Sequence, residues 1–284
     1  IPTGCMWVEA DCNLTGGESL VRQILFGTRF FKQEFGCRVE TLWLPDVFGF
    51  SAALPQIMRR SGIKYFFTTK LALNQFTKFP AHSFFWEGLD GSRVLSHFMP
   101  GEEYSAELEP WLIRTAEHDY AEKDRCSLQL MPFGHGDGGG GPARAHLERL
   151  RRYADFEGMP RLVSMPPDAF FAQLERESRN LPVWRGELYL ENHRGTYTSQ
   201  AQAKKQNRQA ELLLREAEIL AALAMAGGAR YDQSGFTEAW KLVLLNQFHD
   251  ILPGSSIDEV YAQSDRQYAA VFSSVGAIRD QAFG

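Results

Sequence analysis

No stretch of this sequence is apolar for long enough to cross a bilayer. The longest such run, Ile219 to Met225, falls well short of the ~20 residues that a membrane helix needs. Positive charge is in deficit too: Lys and Arg number 30 against 35 Asp and Glu, a net charge of -5. That argues against a nucleic-acid footprint. The basic run Arg144, Arg149, Arg151 and Arg152 falls within one helical stretch and reads as a solvated face. Cysteine is scarce. Cys5, Cys12, Cys37 and Cys126 show neither CxxC spacing nor the density of a disulfide scaffold. They read as buried or free thiols in a reducing compartment, and the expected location is cytoplasmic. Asn13-Leu14-Thr15 is a glycosylation sequon, which matters only in a secreted protein. No internal repeat, low-complexity segment or signal peptide is visible, and a first residue of Ile1 suggests a fragment.

What is present is an ordinary globular composition. The 284 residues are 44% hydrophobic and 23% charged, enough for a sizeable core and two domains. Leu20, Ile24, Phe31 and Phe35 predict a helix from Gly17 to about Phe35. A strand over Arg38–Leu44 follows, then a short helix from Pro55 to Gly62 and a buried strand over Lys64–Thr69. Phe84–Glu87 and Val94–Phe98 form a strand pair about Asp90-Gly91. A helix near Glu107–Glu122, a strand over Ser127–Phe133, a helix near Ala143–Tyr153 and strands at Leu162–Ser164 and Val183–Leu190 complete the first 190 residues. This alternation predicts an α/β domain with a parallel sheet or barrel. From residue 191 the character changes. Helices over Thr198–Ala226, Phe236–Phe248 and from Ser256 toward Ala282 predict an antiparallel three-helix bundle. Ser256 and Glu259 have capping-box spacing.

Three stretches could carry chemistry. In Leu42–Phe50 a strand delivers Asp46 beside Pro45 and then turns at Gly49. α/β barrels place catalytic acids at such strand tips, although a cap or Asx turn would look alike. In Pro132–Pro142 a glycine-rich loop surrounds His135 and Asp137. A P-loop would end in Gly-Lys-Ser/Thr, whereas Pro142-Ala143 stands here. Dinucleotide spacing can be read from Gly134, Gly136 and Gly139, but no ribose-binding acid follows. A carboxylic acid in a tight, dehydrated loop would have its pKa raised, as suits a proton donor. In Leu245–Gly254, His249 ends an amphipathic helix, where it could serve the helix dipole or, with Asp250 and an acid such as Asp46, a metal.

Smaller candidates surround these. His193, Arg194 and Tyr197 fall at the domain junction and could bind a ligand or cross-link domains. Lys70 and Asn74 could hydrogen-bond sugar hydroxyls or simply lie exposed. Phe48 and Trp86 could stack on a sugar face or sit in the core.

Together the motifs resemble glycoside hydrolase family 38, the α-mannosidases. The resemblance rests on Met6-Trp7-Val8-Glu9, the run Gly17–Gln23, Trp43-Leu44-Pro45-Asp46, Leu54-Pro55-Gln56-Ile57 and Phe84-Phe85-Trp86-Glu87-Gly88. Gly136-Asp137-Gly138-Gly139-Gly140-Gly141, Asn192-His193-Arg194-Gly195 and Asn246-Gln247-Phe248-His249-Asp250 complete it. The glycine form looks like the cytosolic, vacuolar and bacterial branch. The resemblance implies a seven-stranded α/β barrel, partial here and spanning residues 1–190, followed by a three-helix middle domain over 191–284. It implies a divalent metal, zinc or another such as cobalt, held by an early His-x-Asp motif, Asp46 and His249. That motif is expected upstream of Met6; of the seven histidines only His135 is followed two residues later by aspartate, in the glycine loop. Large β domains are expected to follow the helical one. Leu73 stands where the family tends to carry tryptophan.

The resemblance further implies a retaining double displacement on a mannose-containing oligosaccharide. Asp46 is the nucleophile, Asp137 the acid/base, Asp250 bonds sugar hydroxyls and Phe48 lies under the ring. A metal-poor chain of this extent is expected to have little activity alone. The rival readings are a non-catalytic carbohydrate-binding or scaffold protein and a nucleotide-using enzyme built on the glycine loop. No nucleic-acid or membrane partner is expected, and homo-oligomerisation is left open.

Overall fold

The computed structural model describes residues 2–100 and 104–283. They divide into two compact units: Ile1–Cys5 with Glu34–Asn192, and Met6–Gln33 with His193–Gly284. The α-helices among the described residues are α1 (Gly17–Phe35), α2 (Leu54–Arg60), α3 (Pro110–Asp119), α4 (Arg144–Arg152), α5 (Pro167–Glu177), α6 (Ala201–Ala226), α7 (Gln233–Asn246) and α8 (Asp258–Phe283). None is long and apolar enough to cross a membrane.

The first unit is α/β. Its strands are β1 (Thr41–Trp43), β2 (Tyr65–Thr68), β3 (Ser83–Glu87), β4 (Arg93–Phe98) and β5 (Val183–Arg185), in the order β1-β2-β4-β3-β5. All neighbours are parallel except the β3–β4 hairpin, so the sheet is mixed. β2 is buried throughout, which is why it reads as an unbroken apolar run in place of an alternating one. Phe67 and Leu95 pack with Phe170, Phe171 and Leu174 of α5, and the Tyr65 ring stacks on Phe171 at 5.1 Å.

Several local expectations fail for identifiable reasons. Ser127–Phe133 forms no strand, because its backbone donors are taken elsewhere. Leu128 N–H goes to Cys126 Sγ and Leu130 N–H to His97 Nε2 (3.2 Å), and Pro132 has none to give. Only Phe133 bridges, to Ala106. Leu162–Ser164 is likewise not a strand; Val163 is 66% exposed and Pro166-Pro167 follow at once. β5 ends at Arg185, and Leu188 instead bridges Phe50. The sequence gives no advance sign of α5, which proline opens.

In the second unit α6, α7 and α8 share one core that includes Leu214, Ala217, Phe236, Trp240, Val243, Tyr268 and Val271. α1 adds Arg22, whose guanidinium lies 4.2 Å over Trp240 and pairs with Glu218 through both terminal nitrogens. A buried polar chain supports the end of α7. Gln23 Nε2 donates to Leu244 O, and Gln247 Nε2 donates to Asn207 Oδ1 (2.9 Å) and Glu211 Oε1 (3.1 Å). Glu211 Oε1 also accepts from Ser19 Oγ and Gly16 N–H. Such a chain stabilises most when its members are satisfied, and the second Glu211 oxygen faces the Arg208 guanidinium at 2.9 Å. Ser256 is not a capping-box residue: its hydroxyl donates to the Asp250 carbonyl, and α8 begins at Asp258.

Candidate active site

In the α/β unit, parallel pairing of β1 with β2 sets the tips of both strands side by side. Asp46 follows β1. Its Oδ1 is shielded from solvent and paired with Lys70 Nζ at 2.5 Å. Lys70 opens a 3-10 turn, Lys70–Leu73, directly after β2, and its side chain is only 11% exposed. Two rings border the ammonium: Phe48 at 5.9 Å and Tyr104 at 5.3 Å to the centroids. Both lie within the ~6 Å range of cation–π attraction.

The glycine loop packs against the same tyrosine. Gly136 N–H donates to Ser105 Oγ (3.2 Å), and a Cβ on Gly136 would lie 2.6 Å from that oxygen and 3.4 Å from the Tyr104 ring. His135 and Gly141 exchange both backbone hydrogen bonds, closing the loop into a knuckle. Gly134 enters it at φ +106°, where a Cβ would stand 2.7 Å from Pro142 N, so only glycine fits. Asp137 sits at the tip with φ +50°. It is exposed, which corrects the expectation of a dehydrated acid: the glycines at 138–140 have no side chains to cover it. His135 is exposed too, its ring edge-on to His146 at 5.0 Å. His146 is buried and its Nδ1 accepts from Ala143 N–H (2.8 Å).

Two candidates prove structural. Trp86 is fully buried among Phe50 and Phe66, with Nε1–H on the Gly186 carbonyl, so its faces are core and not a sugar platform. Asn74 is buried; its amide donates to Tyr189 O and accepts from Glu191 N–H, each at 2.9 Å. Those bonds commit it to the backbone and away from sugar hydroxyls. Glu191 in turn accepts from the N–H groups of Gln75, Phe76 and Thr77. Burial pushes its pKa up, but these three bonds outweigh it and hold the carboxyl below its ordinary value.

The second unit holds the remaining candidates. His249 is 5% exposed, and its Nδ1 lies 2.9 Å from the Glu9 carbonyl. A carbonyl only accepts, so Nδ1 carries hydrogen and the neutral ring keeps its lone pair on Nε2. The backbone N–H of His249 reaches the same carbonyl, and Asp11 N–H bonds Gln247 O, so segment 9–11 fixes the imidazole. Asp11 itself is buried, and desolvation raises its pKa against the opposing Leu14 and Asn13 N–H groups and the Lys204 and His249 charges. Asp250 accepts from Ser255 Oγ at 2.9 Å, and its Oδ2 is 3.8 Å from His249 Nε2. His193 caps a 3-10 turn, Arg194–Tyr197, in the left-handed conformation (φ +62°); all three polar residues are exposed, and Tyr197 OH accepts from Asn13 Nδ2.

A zinc site normally takes four ligands, or three plus water. Among the described residues no group of three or more His, Cys, Asp or Glu gathers as such a set. Asp46 and His249 are each of ligand type, but the Asp46 carboxylate is engaged by Lys70. The expected metal therefore does not fit the described side chains by themselves.

Comparison with known proteins covers nearly the whole chain. The family model for the glycosyl hydrolases family 38 N-terminal domain matches residues 1–187, and that for the α-mannosidase middle domain matches residues 191–284. The chain belongs to glycosyl hydrolase family 38. Within this family, α-mannosidase 2C1 of Mus musculus is 46% identical over 275 residues, covering 96% of this chain and 26% of its own length. α-Mannosidase G of Dictyostelium discoideum is 46% identical over 261 residues, covering 92% and 24%. This family 38 chain thus spans about a quarter of the length of these curated relatives. In fold it is similar to an α-mannosidase from Enterococcus faecalis V583, with TM-score 0.81 at 22% identity over 99% of this chain and 33% of that one.

Proposed function

We propose that this chain carries the sugar-cleaving carboxylates of a retaining α-mannosidase, which removes terminal α-linked mannose from oligosaccharides in the cytoplasm. Its sheet is part of a seven-stranded α/β barrel, and α6–α8 are the three-helix middle domain, with the boundary near residue 190. One observation carries the reading. Asp46 pairs with Lys70, the Lys70 ammonium faces the Tyr104 ring, and Gly136, next to Asp137, packs on that ring. Two carboxylates are thereby served by one shared wall.

In the first step an Asp46 oxygen attacks the anomeric carbon while its bond to the leaving oxygen breaks, and Asp137 gives that oxygen a proton. In the second step water adds to the anomeric carbon, the Asp46 ester breaks, and Asp137 takes the water proton. Exposure of Asp137 suits a proton carrier that meets both leaving group and water, and bound sugar would supply the dehydration that the loop lacks. Phe48, whose ring borders the Lys70 ammonium, offers the sugar an apolar face. Asp250, His135, His193, Arg194 and Tyr197 stay as proposed substrate contacts.

The test is Asp46→Ala in the complete polypeptide carrying this sequence, assayed with an aryl α-mannoside. Turnover should fall by roughly six orders of magnitude, as when a serine protease loses its nucleophile. Unchanged turnover would remove the nucleophile assignment, and with it this reading.

A further inference from the structure

Pro45, the residue before the proposed nucleophile, has no N–H, so the β1–β2 ladder cannot continue through a donor at that position. The ladder is instead carried on from the other strand. Leu44 N–H donates to Phe67 O at 3.0 Å, and then both the N–H (3.3 Å) and the hydroxyl (2.7 Å) of Thr69 converge on the Pro45 carbonyl. Thr69 is 4% exposed. The next residue is Lys70, whose ammonium reaches Asp46. Consecutive residues on one strand tip thus hold consecutive residues on the other.

We propose that Thr69 and Lys70 form a positioning clamp that aims the Asp46 carboxylate. This rests on the reading of Asp46 as nucleophile and adds two residues to its machinery, one of them reassigned from sugar contact. A lysine stem is flexible, and holding it costs rotamer entropy. Here the Phe48 and Tyr104 rings and an almost buried stem restrict it before any sugar arrives. The charge-assisted contact then fixes the direction in which the Asp46 carboxylate points. Lys70 and Thr69 touch no reacting atom in this scheme; they act through Asp46.

The experiment compares Lys70→Met, Lys70→Arg, Thr69→Val and Thr69→Ser with wild type in the complete polypeptide, using an aryl α-mannoside. A clamp predicts kcat about 100-fold lower for Lys70→Met and about 10-fold lower for Thr69→Val, with KM within about threefold, since misaimed reactants lose rate and not binding. Lys70→Arg and Thr69→Ser should recover most of the loss, which a generally loosened fold would not allow. If KM rises while kcat holds, Lys70 is a sugar contact and the clamp is wrong. If both non-conservative variants stay within twofold of wild type, it is wrong as well. Should Lys70→Met fail to fold, the near-isosteric Thr69→Val and Thr69→Ser pair decides alone. Loss of activity in Asp46→Ala alongside intact Lys70 and Thr69 variants would overturn the clamp and leave the nucleophile standing.

Discussion

Asn74 and Glu191 hold each other from both directions. The Asn74 side chain accepts the Glu191 N–H at 2.9 Å, and the Glu191 carboxylate accepts the N–H groups of the residues that follow Asn74. This strap anchors the turn that presents Lys70. We expect Asn74→Ala to destabilise the protein by about 2 kcal/mol, since it strands the buried Glu191 N–H and Tyr189 C=O. Glu191→Gln should also destabilise at neutral pH, and its deficit should shrink in acid. The Glu191 pKa is depressed in the fold, so its contribution is present above the unfolded value and is lost as pH falls through the folded one. Denaturant midpoints at several pH values check both. A Glu191→Gln deficit that is constant with pH would contradict the strap.

A second pH effect has the same sign and a different origin. His97 is fully buried, its Nδ1 on Ser83 Oγ and its Nε2 accepting from Leu130 N–H. Burial, helped by the nearby His82, pushes its pKa from 6.5 down to about 3. Between those values the unfolded chain binds a proton that the folded chain refuses. Stability should therefore fall as pH drops below 6.5, by about 1.4 kcal/mol per pH unit from this residue. His97→Asn should be less stable at neutral pH and lack that part of the slope. Equal slopes in both proteins would refute the assignment.

Asp137→Asn separates acid/base catalysis from nucleophilic attack. We expect turnover of a mannoside with a poor leaving group to fall by about 10²- to 10⁴-fold, the usual worth of a positioned proton donor. A dinitrophenyl mannoside, which needs no proton to depart, should be much less affected in its first step. Added azide should speed the second step by replacing water. Equal losses on both substrates would remove Asp137 from this role, and no loss at all would favour a non-catalytic carbohydrate-binding protein.

Zinc titration of this 284-residue chain should show no tight stoichiometric site, because no described group of three potential ligands exists. Equimolar zinc retained through gel filtration would contradict that expectation.

The sequence made some features legible and hid others for physical reasons. α1 announces itself through a periodic apolar face, α6 through a long run of Ala, Leu, Glu and Gln closed by Gly227-Gly228, and β2 through its unbroken buried run. Ser127–Phe133 looked equally strand-like, but its fate is decided by His97 and Cys126 capturing its donors, and the His97 contact spans 33 residues. α5 hid behind a double proline. At the candidate site, an acid at a strand tip is a local pattern, so the placement of Asp46 just after β1 was readable. Thr69 and Tyr104 were not: a threonine ending a strand and a tyrosine in a loop carry no signal until the tertiary contacts exist. Trp86 and Asn74 were over-read, because residue type alone does not distinguish a satisfied core group from a binding one.

The division of the chain has a practical outcome for anyone who wishes to dissect it. The polypeptide changes unit at Cys5–Met6, again at Gln33–Glu34, and a third time at Asn192–His193. A cut near residue 190 would yield a C-terminal piece deprived of Ser19, Arg22 and Gln23, so that Glu211, Glu218 and the Leu244 carbonyl each lose a partner inside an opened core. Halves expressed that way should be insoluble apart, whereas grafting Met6–Gln33 onto the C-terminal piece through a short linker should return a soluble helical body.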